Sequence, residues 1–194
     1  MSTSGYDILK RAVDASAATL GLVFVAPLLG GLCLAIRLDS PGPALFRQKR
    51  VGRDGQEFVL LKLRTMKVGT PELPTNILQR QGYDPRTRLG KLVRRLSLDE
   101  LPQLINVLRG EMSLVGPRPA LPTQETLNEK RRVAGVEMLL PGITGWAQIN
   151  GRDEIEEDEK VRLDVFYLEK RSIMMDMAIL FRTFAPVLSG KGNR

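Results

Sequence analysis

The chain has 194 residues, 43% hydrophobic and 26% charged, which is enough for one domain with a sizeable core and too apolar for wholesale disorder. It contains no histidine, which excludes Ser-His and Cys-His catalysis and imidazole zinc sites, and its single Cys33 cannot form an internal disulfide, so a reducing compartment is expected. The net charge of +7 points to an anionic partner: nucleic acid, phospholipid headgroups or a phosphorylated small molecule.

From Ala15 to Ile36 the chain carries no charge, a stretch long enough to meet the criterion for a membrane helix. It is a poor signal peptide, because the apolar stretch is long and no small-residue cleavage site follows, so the segment is expected to stay. Pro27 lies near its middle with Gly21, Gly30 and Gly31 around it, so a kink or break is expected there. Lys10 and Arg11 flank one end while Arg37, Arg47, Lys49, Arg50 and Arg53 follow the other, so a simple span would put one basic flank on the wrong side. A helix-break-helix hairpin dipping into one leaflet avoids that. Its halves, 15–26 and 28–36, are only about 18 and 14 Å long, too short to cross alone. A kinked spanning helix is the competing reading of the same residues.

Asp39-Ser40-Pro41-Gly42-Pro43 ends the helical pattern. Residues 44–66 predict a β-hairpin with Asp54-Gly55 at its tip; alternation puts Val59, Leu61 and Leu63 on one face and the cations Lys62 and Arg64 on the other. Residues 67–85 hold three prolines and two glycines without periodicity and predict a long loop placed to cover a site. Leu89, Leu92, Val93 and Leu96 then recur at helical spacing, opposite Arg88, Lys91, Arg94 and Arg95: a basic amphipathic helix.

A second periodic run, Leu101, Leu104, Ile105 and Leu108, closes at Gly110 and opens with Ser97-Leu98-Asp99-Glu100. Ser97 and Glu100 have capping-box spacing, while Pro102 fits the first turn better if Asp99 is the cap; the residue types leave that choice open. Adjacent carboxylates at a helix start, with Arg94 just upstream, also suit phosphate chemistry. A helix N-terminus attracts anions, a divalent cation such as Mg²⁺ bridges carboxylates to a diphosphate, and an ionised Asp beside a phosphoryl group is a plausible nucleophile. Gly116-Pro117-Arg118-Pro119 holds an arginine between two prolines that stiffen its backbone, a preset frame for a phosphate-binding guanidinium or simply a rigid turn.

Within "PGITGWAQINGR", Asn150-Gly151 reads as a turn and Trp146, the only tryptophan, as a core or interfacial anchor. The acidic run from Asp153 to Glu159 opens a further helix, where negative charge suits the first turn. Met177, Leu180, Phe181, Phe184 and Leu188 form an apolar stripe on a last helix, expected to complete the core.

Taken together, "KRAVD", "KLRTM", "RRLSLDELPQLINVLRGEMSLVGPRP" and "PGITGWAQINGR" resemble the bacterial sugar transferases, the monotopic polyprenyl-phosphate phosphoglycosyl transferases, in unbroken order from about Tyr6 to Leu188. The length resembles the small PglC-like members. The resemblance implies an α+β, mainly helical fold: an N-terminal re-entrant membrane helix-break-helix at Pro27 over residues 1–38, then a compact cytoplasmic catalytic domain with a small β element and interfacial helices over 39–194. It implies Asp99 as nucleophile and Glu100 as its partner, both near Mg²⁺. It also implies transfer of a phosphosugar from a nucleotide diphosphate sugar, usually a UDP-sugar, to polyprenyl (undecaprenyl) phosphate through an aspartyl-phosphosugar, with release of UMP. Lys62, Arg94, Arg118 and Arg152 fall on family basic positions and are candidate phosphate contacts, joined by Arg64 from the Lys62 face. The implied place is the cytoplasmic face of the bacterial inner membrane, with phospholipid around the protein, no nucleic acid, and downstream glycosyltransferases consuming the product. Ala26 stands where the family often has Ser before the proline, which alters the detail of the break. The mechanism requires Asp99 where the apolar segment meets the cytosol, within reach of both substrates. Two other classes compete: a membrane-anchored basic scaffold for anionic lipid or nucleic acid, which would be indifferent to Asp99, and a spanning-helix structural protein.

Overall fold

The computed structural model describes residues 5–70, 82–151 and 155–188. The chain is mainly helical, with two small two-stranded sheets. Helix α1, Gly5–Asp39, is a single helix of 35 residues, about 52 Å at ~1.5 Å per residue. Pro27 lies inside it, and the helix is not divided there into the two expected segments. A proline removes only one bond of the ladder, and α1 is gripped on both sides of it. Asp14, Ala18 and Gly21 dock before the proline, and Leu29, Leu32, Cys33 and Ile36 dock after it. At ~100° per residue these positions fall on one side of the helix, so one stripe of α1 lies along the rest of the protein.

The β-hairpin forms as expected. Strand β1, Leu45–Val51, pairs antiparallel with β2, Glu57–Leu63, in a register running from Leu45 opposite Leu63 to Val51 opposite Glu57. Asp54 and Gly55 both take positive φ at the tip, +54° and +73°, the left-handed conformation that an Asp-Gly pair accepts readily. The simple two-faced alternation does not hold, however. Leu60, on the Lys62 side, is buried with Ala18, Val107 and Met112, while Val59 is exposed. The cause is α3, Gln103–Arg109, which covers β2 and whose fully buried Asn106 completes the strand edge, accepting from Leu61 N at 3.1 Å and donating to Val59 O at 2.8 Å.

Helix α2, Arg88–Arg95, starts at Thr87, whose side chain accepts from Gly90 N. Leu89 and Val93 pack toward α1, but Leu92 and Leu96 stay exposed, so the apolar stripe is only half used. The stems of the preceding loop are tied by Lys67 N to Pro85 O and Thr87 N to Thr65 O; most of that loop, 71–81, lies outside the described residues.

Strands β3, Ser113–Val115, and β4, Gly142–Thr144, pair in parallel. The glycines around them have a steric reason. A Cβ on Gly116 would strike Leu140 O, one on Gly142 the Gly116 amide, and one on Gly145 Gly116 O. Helices α4 (Glu125–Val133), α5 (Trp146–Asn150), α6 (Glu157–Lys170) and α7 (Ile173–Leu188) complete the fold. The acidic residues Glu157, Asp158 and Glu159 occupy the first turn of α6. Trp146 is an anchor, stacked on Phe166 with ring centroids 5.2 Å apart. On α7 the expected stripe is corrected: Ile179 is fully buried beside Val115, Leu139 and Tyr167, with Met175 and Leu180 against them, whereas Met177 is exposed and Phe181 is 77% exposed.

The charges of "KRAVD" prove to be docking groups. Lys10 Nζ is 2.7 Å from Asp176 Oδ2, Arg11 donates to the Val107 and Leu108 carbonyls at the end of α3, and Asp14 accepts from Ser113 Oγ at 2.7 Å and from Leu114 N. Asp176 also accepts from Tyr6 Oη at 3.0 Å and Tyr167 Oη at 2.6 Å, which joins the start of α1 to α6 and α7.

Candidate active site

Three pairs of neighbours in sequence build the site. Leu63, Val93 and Leu98 belong to the apolar cluster that packs on Leu29, Leu32, Cys33 and Ile36 of α1. The residue beside each is a site candidate: Lys62, Arg94 and Asp99. Packing of these three residues against the apolar helix fixes the backbone beside each candidate, and the three candidate side chains meet around Asp99.

The approach to Asp99 departs from both capping readings. Ser97 takes φ +55°, a left-handed conformation uncommon outside glycine, and makes no side-chain cap. Leu98–Glu100 forms a 3₁₀ turn, and α3 begins only after Pro102, so the acids stand ahead of the helix and do not cap it. Pro102 thus sits where its missing donor costs nothing.

Lys62 Nζ reaches Glu100 Oε1 at 2.8 Å, and Arg118 Nη1 lies 3.6 Å from the same oxygen. Burial alone would raise the Glu100 carboxyl; Lys62 first and then Arg118 outweigh it and hold it below the ordinary range. Asp99 goes the other way. Burial raises it, the negative Glu100 adds to the rise, and Lys62 and Arg94 pull against it without prevailing. Asp99 is buried, with 8% of its surface accessible, whereas the mechanism requires its carboxylate within reach of both substrates. Its charged neighbours are Lys62, Glu100 and Arg94, a polar lining suited to an anionic ligand.

Arg118 sits on a segment held at every step. The carbonyls of Pro117, Arg118, Pro119 and Ala120 accept from Gly142 N (2.9 Å), Arg131 Nη1 (2.8 Å), Arg50 Nη1 (3.0 Å) and Val51 N (3.0 Å) respectively. A cavity of about 340 Å³ borders this segment, lined by Pro117, Arg118, Pro119, Arg131, Val136 and Leu139 among others. The dyad does not line it; Arg118 is common to both.

Arg64 is not a ligand-facing cation. It is buried, and its guanidinium donates to Ile36 O at 3.3 Å, Ser40 O at 2.6 Å and Pro41 O, closing the end of α1 where the dipole is negative. Arg152 lies outside the described residues. Sequence reasoning missed Asn106, Arg131 and Asp164; burial marks Asn106 and Asp164 and the ion pair with Asp164 marks Arg131, and neither signal is present in the sequence.

The pair Asp99 and Glu100 is what the site offers a divalent cation, and no group of three acidic or thiol side chains that could hold a metal exists among the described residues. Two carboxylates fit Mg²⁺, which is commonly held by one or two of them together with substrate phosphate oxygens and water.

Compared with known proteins, residues 5–190 match the model of a family described as bacterial sugar transferase. The chain is 46% identical over 187 residues to the UDP-glucose:undecaprenyl-phosphate glucose-1-phosphate transferase of Escherichia coli, an alignment covering 91% of this chain and 39% of that protein. It is 47% identical over 192 residues to the undecaprenyl-phosphate glucose phosphotransferase of Komagataeibacter xylinus, covering 93% of this chain and 36% of the relative. With the UDP-glucose:undecaprenyl-phosphate glucose-1-phosphate transferase of Caulobacter vibrioides it shares 43% identity over 190 residues, covering 94% of this chain and 71% of the relative. The chain thus spans well under half the length of the first two.

Proposed function

The chain belongs to the bacterial sugar transferase family, and on that premise we propose that it moves a hexose phosphate from a UDP-sugar to undecaprenyl phosphate at the membrane surface. The observation that carries this reading is the Asp99-Glu100 pair, set among Lys62, Arg94 and Arg118 and anchored through Leu63, Val93 and Leu98 to the apolar helix α1. A nucleophile at that junction can meet a soluble donor and a lipid acceptor in turn.

In the proposed reaction an Asp99 carboxylate oxygen attacks the sugar-bearing phosphorus. The bond from that phosphorus to the UMP oxygen breaks, and UMP leaves with the electron pair. A phosphate oxygen of undecaprenyl phosphate then attacks the same phosphorus, and the Asp99 carboxylate departs, leaving the sugar on a lipid diphosphate for downstream glycosyltransferases. Both nucleophiles react as anions; Asp99, whose carboxyl burial raises, gives any proton it holds to water before it attacks. Lys62 and Arg118 hold Glu100 ionised and offer N–H groups to the diphosphate; Arg94 serves the Asp99 side. Mg²⁺ bound by Asp99 and Glu100 would polarise the phosphoryl oxygens. A donor lying across Arg118 places its diphosphate at the dyad and its nucleoside in the adjoining cavity. Because Asp99 is enclosed, productive binding requires the long Lys62 and Arg94 side chains to swing toward the phosphates.

For the membrane, α1 is long and apolar enough to cross a bilayer. Its docking argues that it does not. Asp14 and Ile36 both touch the same folded body, and the 22 residues of rise between them, about 33 Å, leave no undocked stretch to span ~30 Å of hydrocarbon. The opposite side of α1 is apolar and open, with Phe24 at 80% exposure and Leu20, Val23 and Leu34 around it. Val13 of α1 and Met177 of α7 line one cleft, so the apolar surfaces of the two helices meet. We read this surface as lying in one leaflet, a monotopic arrangement on the cytoplasmic face of the inner membrane.

The test is UMP release by detergent-solubilised protein with undecaprenyl phosphate and a panel of UDP-sugars, UDP-glucose first because the three relatives are named for glucose. Release that needs Asp99 supports the reading. No release from any UDP-sugar, or release unchanged in Asp99→Asn, contradicts it.

A further inference from the structure

Of the four donors that hold the carbonyls of residues 117–120, two are backbone amides and two are arginines, and one of these, Arg131, is itself fixed by a buried acid. Its Nε and Nη2 lie 3.0 and 2.7 Å from Asp164 Oδ2, its Nη1 is 2.8 Å from Arg118 O, and Asp164, on α6, is 1% exposed. One planar fork therefore grips an enclosed carboxylate with two N–H groups and the backbone of Arg118 with a third. Lysine, a point charge on a flexible stem, does not reproduce that geometry.

We propose that Arg131, anchored by Asp164, is a positioning residue for phosphosugar transfer: by holding the Arg118 carbonyl it sets the direction from which the Arg118 guanidinium meets Glu100 and the donor diphosphate. The inference rests on the phosphosugar-transfer reading above and adds to it a part of the molecule remote from the dyad in sequence. Stability alone is a weak reason for such a pair, since the cost of desolvating two charges offsets most of their attraction. Geometry is a stronger one. The two prolines fix φ at 117 and 119, and the pinned carbonyl at 118 limits rotation of the peptide plane between them, so little backbone freedom remains upstream of the guanidinium. Preorganised charge of this kind is effective only if it is held within about 0.5 Å.

The experiment is a double-mutant cycle on the full chain in detergent with undecaprenyl phosphate and UDP-glucose, reading kcat/KM for UMP release together with the thermal unfolding midpoint. The four proteins are wild type, Arg131→Lys, Arg118→Ala and the double variant. The expected result is a loss of about tenfold for Arg131→Lys in the wild-type background, with the midpoint still well above the assay temperature, and a loss of less than about twofold in the Arg118→Ala background. Equal fold losses in both backgrounds, or wild-type turnover by Arg131→Lys, would overturn the proposal. If Arg131→Lys does not fold, Asp164→Asn takes its place in the cycle; failure of both to fold assigns the pair to stability and overturns it as well. Absence of UMP release by wild type with UDP-glucose and with every other UDP-sugar of the panel defeats the reaction reading and this inference with it, whereas wild-type turnover with additive losses defeats this inference alone.

Discussion

Asp99 and Glu100 are adjacent in sequence and opposite in electrostatics: burial lifts the first carboxyl, and Lys62 and Arg118 lower the second. Neighbouring acids pushed apart in this way are suited to different roles. Because the raised Asp99 binds its proton more tightly in the folded than in the unfolded state, its ionised form costs stability. That cost is absent below the ordinary carboxylate range, grows as pH rises through it, and is complete above the raised folded value. Without added divalent cation, Asp99→Asn is therefore expected to unfold at the same or higher urea than wild type at pH 7, with any advantage shrinking toward pH 4, while UMP release falls at least about 1,000-fold. Urea unfolding at the two pH values, paired with the turnover assay, checks this; a marked loss of stability at pH 7 would instead make Asp99 a structural residue. Lys62→Met should lower kcat/KM about 100-fold and let the Glu100 carboxyl rise, moving the acid limb of the pH–rate profile upward; an unshifted limb would contradict the Lys62–Glu100 link. The residue types in "SLDE" allowed a helix cap or a nucleophile. What rules out the cap is the left-handed Ser97 and the 3₁₀ turn after it, a backbone choice that no local pattern announces.

At the scale of elements, the hairpin could be read from alternation and its Asp-Gly tip because both signals are local. Continuity of α1 through Pro27 could not, since it depends on packing at Gly21 before the proline and Leu29 after it. Arg64 illustrates the same limit: strand alternation put it beside Lys62, but the chain leaves the strand at Leu63 and the side chain turns to the end of α1. Asn106 is the hinge between hairpin and α3. Asn106→Ala leaves Leu61 N–H and Val59 C=O without that partner in a dry site and is expected to cost about 2–4 kcal/mol in denaturant unfolding. A cost under ~1 kcal/mol would show that the strand edge is otherwise satisfied. Gly116→Ala should cost at least about 2 kcal/mol, because its Cβ meets the backbone of Leu140 and Pro141, and a backbone shift there displaces the Arg118 segment as well. A destabilised protein with unchanged kcat/KM would separate the two effects and contradict the coupling.

For the whole molecule, the basic residues at the start of the apolar stretch, which count in the sequence only as charges against a simple span, are docking groups in the fold. Lys10 and Arg11 are bound to α7 and α3, so the start of α1 is tied to the same body that its end packs against. Both ends should then lie on one side of the membrane. In a Cys33→Ala background, Leu9→Cys and Leu38→Cys, both at exposed positions, are expected to react with a membrane-impermeant thiol reagent from the same side, and Phe24→Cys to be protected by lipid. Labelling from opposite sides would mean a span. The central claim is narrower: Asp99, at the edge of the apolar helix, takes phosphorus from a soluble donor and passes it to a lipid. Its most direct measurement is mass spectrometry of the protein incubated with the UDP-sugar that turns over and no acceptor. The expected result is a phosphosugar adduct on the peptide containing Asp99 that disappears when undecaprenyl phosphate is added. Turnover with no adduct at any time, or an adduct that persists in Asp99→Asn, would contradict it.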